Sequence, residues 1–134
     1  MGRAITEAEK EYAEAVLTAC FVLGSSAPGW EELGVGIPAW LNGLAEAASE
    51  LRRHLLDRLR GGETGTAERL LAQMEDVYEA LVVVDYPDAV TGGLRRSADA
   101  LRAVLERTRS DVTTTVLQGR LQEALESRAR EERA

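Results

Sequence analysis

The chain has 134 residues, 45% of them apolar and 29% charged, a length and balance that fit one folded domain over 1–134 with a core of its own. Its net charge of -7 excludes a protein that coats nucleic acid through overall positive charge, so any polyanion must meet a local basic surface. No window approaches the roughly eighteen consecutive apolar residues of a membrane helix, Met1-Gly2-Arg3-Ala4 lacks the apolar run of a secretory signal, and the single Cys20 has no internal disulfide partner. A cytoplasmic chain without membrane association is the expectation.

With one Phe, two Trp and three Tyr, the core must be built from Leu, Val and Ala, which suits packed helices. Thr6 and Glu9 form a capping box, after which Ala8, Tyr12, Ala15, Val16, Ala19, Cys20 and Leu23 recur at helical spacing. Gly24-Ser25-Ser26 ends this first helix. From Leu17 onward it is apolar on nearly every side, which predicts that neighbours or another subunit enclose it. Residues 24 to 37, with Pro28, Gly29, Gly34 and Gly36, read as the longest loop.

Pro38 suits the first turn of a second helix, whose predicted buried stripe is Trp40, Leu41, Leu44, Ala48, Leu51, Leu55 and Leu59. Gly61-Gly62 stops it. A third helix is predicted from about Thr64 to Val84, with Ala67, Leu70, Leu71, Met74, Val77, Tyr78 and Leu81 inward. The turn Asp85 to Gly93 follows, its Gly92-Gly93 read as a positive-φ pair feeding a helix. Leu94, Ala98, Leu101, Leu105, Thr108, Val112 and Thr115 then alternate steps of four and three, the seam of one long helix packed along others. The core spans about 6–113, and the charged tail 126–134 is expected to fray. The fold class is all-α: an antiparallel bundle of four to five helices joined by short loops.

Acidic residues recur along these helices. Glu11 and Glu14 share a face of the first, Glu46, Glu50, Arg53 and Asp57 form a row on the second, and Glu68, Glu75 and Glu79 a row on the third. The plain reading is solvated helix faces. The alternative is that carboxylates from separate helices converge inside the bundle, where they repel unless a cation stands between them. Hard oxygen donors select Mg2+ or Mn2+, and such a centre hydrolyses phosphodiesters without His or Cys. His54 falls one turn after Glu50, but a Glu-x-x-x-His spacing does not match the Glu-x-x-His pairs of di-iron bundles, so it reads as a surface or RNA-facing residue.

The stretch Asp85-Tyr86-Pro87-Asp88-Ala89-Val90-Thr91-Gly92-Gly93-Leu94-Arg95-Arg96, with Glu106-Arg107-Thr108-Arg109 and Asp111-Val112-Thr113, resembles the signature region of the translin and Trax family. Glu11-Tyr12-Ala13-Glu14-Ala15-Val16 looks like the Trax segment with two catalytic glutamates, Val77-Tyr78-Glu79-Ala80 like the segment supplying a further acid, and the helix around Glu46 and Glu50 like one carrying acids near the same centre. The resemblance covers roughly residues 9 to 113 and points to the catalytic side of the family. It implies a translin-like bundle that assembles as a closed homo-oligomer, and a metal-dependent endoribonuclease that binds single-stranded or loosely structured RNA, or DNA. Glu11, Glu14 and Glu79 are then the catalytic acids, and these with Glu50 hold Mg2+ or Mn2+. The long helix that family members carry upstream of Glu9 is expected to be missing.

Arg52, Arg53, Arg95, Arg96, Arg107 and Arg109 are the candidates for phosphate contacts, with Arg60 and Arg102 behind them. Many have an acid within one turn, so structural ion pairs compete with that role. Without a glycine-rich phosphate loop or an aromatic-basic strand motif, base-specific reading is not expected. Two other readings stay open: a non-catalytic translin-like binding protein, and an all-α nucleoside triphosphate pyrophosphatase, for which the second acid pair is displaced, Asp76-x-x-Glu79 being reversed and distant.

Overall fold

A computed structural model describes the backbone of residues 2–134 and the side chains of residues 7–87 and 90–134. Four long helices, α1 (Gly2–Leu23), α3 (Ile37–Arg60), α4 (Thr64–Val82) and α6 (Leu94–Arg133), are joined through two one-turn helices, α2 (Trp30–Leu33) and α5 (Asp88–Thr91). No strand occurs among the described residues. The chain is an all-α helical bundle, as its periodicity predicts.

The central element is α3, which packs against α1, α4 and α6, while α6 also lies along α4. Contact on several sides explains why burial on α3 exceeds a single stripe. Leu44, Ala48, Leu51 and Leu55 are buried as predicted, and Ala39, Ala45 and Ala47 join them. On α4 the buried set Ala67, Leu70, Met74, Val77 and Leu81, and on α6 Leu94, Leu101, Leu105, Thr108 and Val112, follow the predicted seams. The Thr108 hydroxyl donates to Val104 O at 2.7 Å and accepts from Arg52 at 3.1 Å, so the one polar residue of that buried set is satisfied.

The first helix differs. It begins at Gly2, ahead of the predicted cap at Thr6, whose side chain lies outside the described residues. Its buried residues are Ala13, Leu17 and Phe21, whereas Tyr12 is 53% and Leu23 78% exposed, with Ala15 and Ala19 also exposed. A helix apolar on most sides does not declare its inner face by periodicity. The choice falls to shape: a Cβ on Gly43 of α3 would lie 2.9 Å from Ala13 Cβ, 3.1 Å from Lys10 O and 3.2 Å from Glu14 N. Only glycine lets the two backbones approach so closely, and this notch sets the rotation of α1.

The turn from 85 to 93 is held by Asn42, a residue the hydrophobic pattern passes over. Its buried Nδ2 donates to Pro38 O at 2.9 Å and Thr91 O at 2.7 Å, and its Oδ1 accepts from the Ser97 hydroxyl at 2.8 Å. One amide thus joins the start of α3, α5 and the first turn of α6. Gly92 and Gly93 have φ of +63 and +83, the left-handed backbone expected of this pair. The side chains of Asp88 and Ala89, part of the signature stretch, lie outside the described residues. Indole Trp40 Nε1 ties down the long loop by donating to Pro28 O at 3.1 Å.

Where the sequence predicts fraying after residue 125, α6 continues to Arg133. Strong helix formers dominate there, and Gln122–Glu126 at 3.0 Å and Arg128–Glu132 at 3.4 Å add i, i+4 pairs. The 40-residue helix is about 60 Å long. Beyond Val116 it leaves the bundle, with Leu117, Leu121 and Leu125 between 55% and 61% exposed.

Candidate acidic site

The close approach at Gly43 places Glu14, the residue after Ala13, against the next turns of α3, where Glu46 and Glu50 project. Burial pushes the Glu14 carboxyl up to about 7, reinforced by a hydrogen bond with Glu46 and by the charges of Glu46 and Glu50, with Lys10 acting in the opposite direction. A carboxyl with its pKa near 7 keeps its proton in part of the molecules at neutral pH. Lys10, the chain's only lysine, bonds Glu7 at 2.9 Å and Glu46 at 3.2 Å, and the Glu7 bond is the main cause that raises its own pKa.

Two open cavities meet at Glu14. One, of about 460 Å³, is lined by Glu14, Glu46, Ser49 and Glu50 on one side and by Arg96 and Ser97 of α6 on the other. The second, of about 780 Å³, runs outward past Glu11, Glu14, Glu50 and His54 along the exposed face of α1. Of the four acids expected at a metal centre, Glu11, Glu14 and Glu50 therefore line one groove. Glu79 does not join them: it is exposed on α4 and lines neither cavity. Three acids at mid-helix gave no information on which faces converge, and the face of α4 that meets α3 and α6 is its apolar one, which leaves Glu79 outward.

Glu46 is the acid the sequence reading named in a row but left out of the site. The available signal was Gly43-x-x-Glu46-x-x-x-Glu50: a small residue at the contact point, then acids one and two turns on, all on one arc of α3. The arginines divide. Arg52 is committed internally, pairing with Asp111 at 2.7 Å; Arg53 pairs with Glu50 at 2.8 Å and Arg109 with Glu75 at 3.7 Å. Arg95, Arg96 and Arg107 are exposed and make no salt bridge among the described residues.

These residues fit a hard divalent cation in donor chemistry: carboxylate oxygens only, crowded enough that a proton is retained. The side chains are not set at ligating geometry, since no group of three His, Cys, Asp or Glu among the described residues is placed to hold a metal ion.

The raised Glu14 pKa fixes a pH effect. The folded chain binds more protons than the unfolded chain between the ordinary value of 4.5 and about 7, so stability falls as pH rises through that window. Glu14→Gln is expected to flatten this slope and, at pH 8, to stabilise the chain by about 1 kcal/mol, the shift being discounted for the group's partial exposure. Thermal unfolding of both proteins from pH 4 to 8 measures it; parallel curves would show that Glu14 titrates normally.

No protein-family model matches the chain. An uncharacterized protein of Methanocaldococcus jannaschii is 32% identical over 118 residues, which are 87% of this chain and 53% of that protein. Among solved structures, AfC3PO in its complex with duplex RNA superposes with a TM-score of 0.76 at 36% identity, covering 84% of this chain and 59% of that one. The fold is that of AfC3PO. A crystal structure of AfC3PO gives the same TM-score and identity, with 60% of its chain covered. The chain thus spans about half the length of the M. jannaschii relative and three fifths of AfC3PO. The likeness to AfC3PO, a translin/C3PO-like protein, supports the translin resemblance carried by residues 85 to 96. No described helix is long and apolar enough to cross a membrane.

Proposed function

We propose that this chain is a translin-like nucleic-acid-binding subunit and, more specifically, a Trax-like Mg2+- or Mn2+-dependent endoribonuclease of the cytoplasm. The observation that carries the reading is the meeting of Glu14 with Glu46 and Glu50 across the α1–α3 contact, at a carboxyl pushed up to about 7. Support also comes from likeness to a protein solved with duplex RNA.

In this reading Glu14, Glu46 and Glu50, with Glu11 at the groove mouth, hold the cation, and Glu46 takes the place first given to Glu79. Bound there, a divalent ion supplies charge stabilisation of the phosphoryl oxygens and lowers the pKa of water. The chain's own residues do the rest. Glu14 gives up its proton when the acids ligate, Lys10 fixes Glu46 from behind, and Arg96 across the cavity neutralises a phosphate. Arg53 reaches the same edge through Glu50, and exposed Arg107 extends the basic contacts along α6. The half-buried His54 forms part of the groove wall rather than a ligand.

The exposed Leu117, Leu121 and Leu125 of α6 and the exposed apolar face of α1 support assembly into a homo-oligomer. A closed assembly would also bring acids and arginines of several copies around one RNA. Incubation of the chain with single-stranded and duplex RNA, with Mg2+ and then with chelator, tests the proposal: chelator-reversible internal cleavage is expected, preferring the single strand. That no three acids among the described residues are set at ligating geometry favours one second reading, a non-catalytic binder. It predicts RNA retention that survives chelator with the RNA intact.

A further inference from the structure

Of the signature stretch only Arg96 faces the acidic site; the rest borders a separate cavity. Along α6 the spacing separates two faces: Arg96, Ala100 and Val104 turn toward the acids, while Arg95, Ala98 and Asp99 turn the other way. On that far side, between the end of α4 and the 85–93 turn, lies a cavity of about 420 Å³ lined by Tyr78, Leu81, Asp85, Tyr86, Arg95 and Asp99 among others. Two of its lining residues, Val82 and Tyr86, are 53% and 67% exposed, and Val83 and Val90 of the same chain segment, outside the lining, are 76% and 56% exposed.

The lining combines three chemistries. Tyr78 and Tyr86 offer aromatic faces on which a base can stack. Asp85 and Asp99 are acceptors with no salt bridge among the described residues, suited to an exocyclic amino group. Arg95 supplies a cation for a phosphate. Thr91, at the base of the cavity, is buried and its carbonyl accepts from Asn42, which anchors this end of the turn to α3.

We propose that this cavity binds a nucleoside 5′-monophosphate unit whose base carries an exocyclic amino group, either as the free nucleotide or as the 5′ end of an RNA. The site lies across α6 from the acids and does not depend on their chemistry.

Calorimetric titration of the full chain with AMP, UMP, adenosine and 5′-phosphorylated or 5′-hydroxyl oligoadenylate tests it. AMP is expected to bind saturably and at least about tenfold more tightly than UMP or adenosine. Tyr86→Ala should weaken AMP about tenfold or more, Asp99→Ala should reduce the preference over UMP, and Arg95→Ala the preference over adenosine. All three positions are exposed, so unchanged circular dichroism and melting should accompany the losses. A phosphorylated oligoadenylate binding more tightly than AMP, with the same variant sensitivity, assigns the RNA end; equal affinity assigns the free nucleotide. No saturable binding of AMP or of phosphorylated oligoadenylate, or binding indifferent to Tyr86→Ala, overturns the proposal.

Discussion

Glu14→Gln and Glu50→Gln are each expected to lower Mg2+-dependent RNA cleavage by about a hundredfold to a thousandfold, because metal-ion charge stabilisation accounts for several kcal/mol of barrier and each ~1.4 kcal/mol is tenfold in rate. The two substitutions keep side-chain volume and remove one negative charge from a crowded group. Loss of activity should therefore come with unchanged or higher melting temperature at pH 8, a combination that a folding defect cannot produce. Glu79→Gln is the contrasting variant. Exposed on α4 and absent from both cavities, Glu79 should be replaceable without effect on cleavage in a single copy's site. Equal loss from Glu79→Gln and Glu14→Gln in a turnover assay would mean that the acids are gathered differently, across subunits.

Gly43→Ala is the second large effect. Its added methyl would stand 2.9 Å from Ala13 Cβ and 3.1 to 3.2 Å from two backbone atoms of α1, which cannot rotate away as a flexible side chain would. Alanine is the better helix former by roughly 0.5–1 kcal/mol, yet overpacking of this kind costs about 1–3 kcal/mol, so net destabilisation is expected. The shift of α1 should also return Glu14 toward the ordinary carboxyl range and flatten the slope between pH 4.5 and 7. Ala13→Gly, by removing the facing methyl, should recover part of the loss in the double variant. Urea unfolding of the four proteins of the cycle reads both terms; additive effects would show that the two positions are not in contact.

How far the sequence revealed this architecture depends on how many sides of each helix are occupied. On α4 and the first half of α6, polar residues bracket the apolar ones, and the predicted seams through Leu70, Met74 and Val77, and through Leu101, Leu105 and Thr108, are the buried ones. On α1, apolar residues on nearly all sides from Leu17 onward blur the period, and the inner face through Ala13, Leu17 and Phe21 follows the contact at Gly43, a steric fact visible only once α3 lies alongside. The acidic site shares that cause. Glu11, Glu14 and Glu50 were readable as candidates from spacing and from the family resemblance, but the choice between Glu46 and Glu79 turns on which faces of α3 and α4 meet. Asn42 escaped because a buried polar latch carries no periodic signal, and its partners Thr91 and Ser97 lie about fifty residues away in the chain. For the arginines, sequence shows charge and not commitment: Arg52 and Arg96 look alike until Asp111 is found beside the first and a cavity beside the second.

The measurement that bears most directly on the site is calorimetric titration of the chain with Mn2+ near pH 7, repeated in buffers of different ionisation enthalpy so that proton release is counted. Ligating acids must shed the proton they share. One saturable site releasing a fraction of a proton up to about one, a release that fades well above pH 7 and disappears in Glu14→Gln, is the expected result. Saturable binding without proton release and unchanged by Glu14→Gln, or no saturable binding, would contradict it.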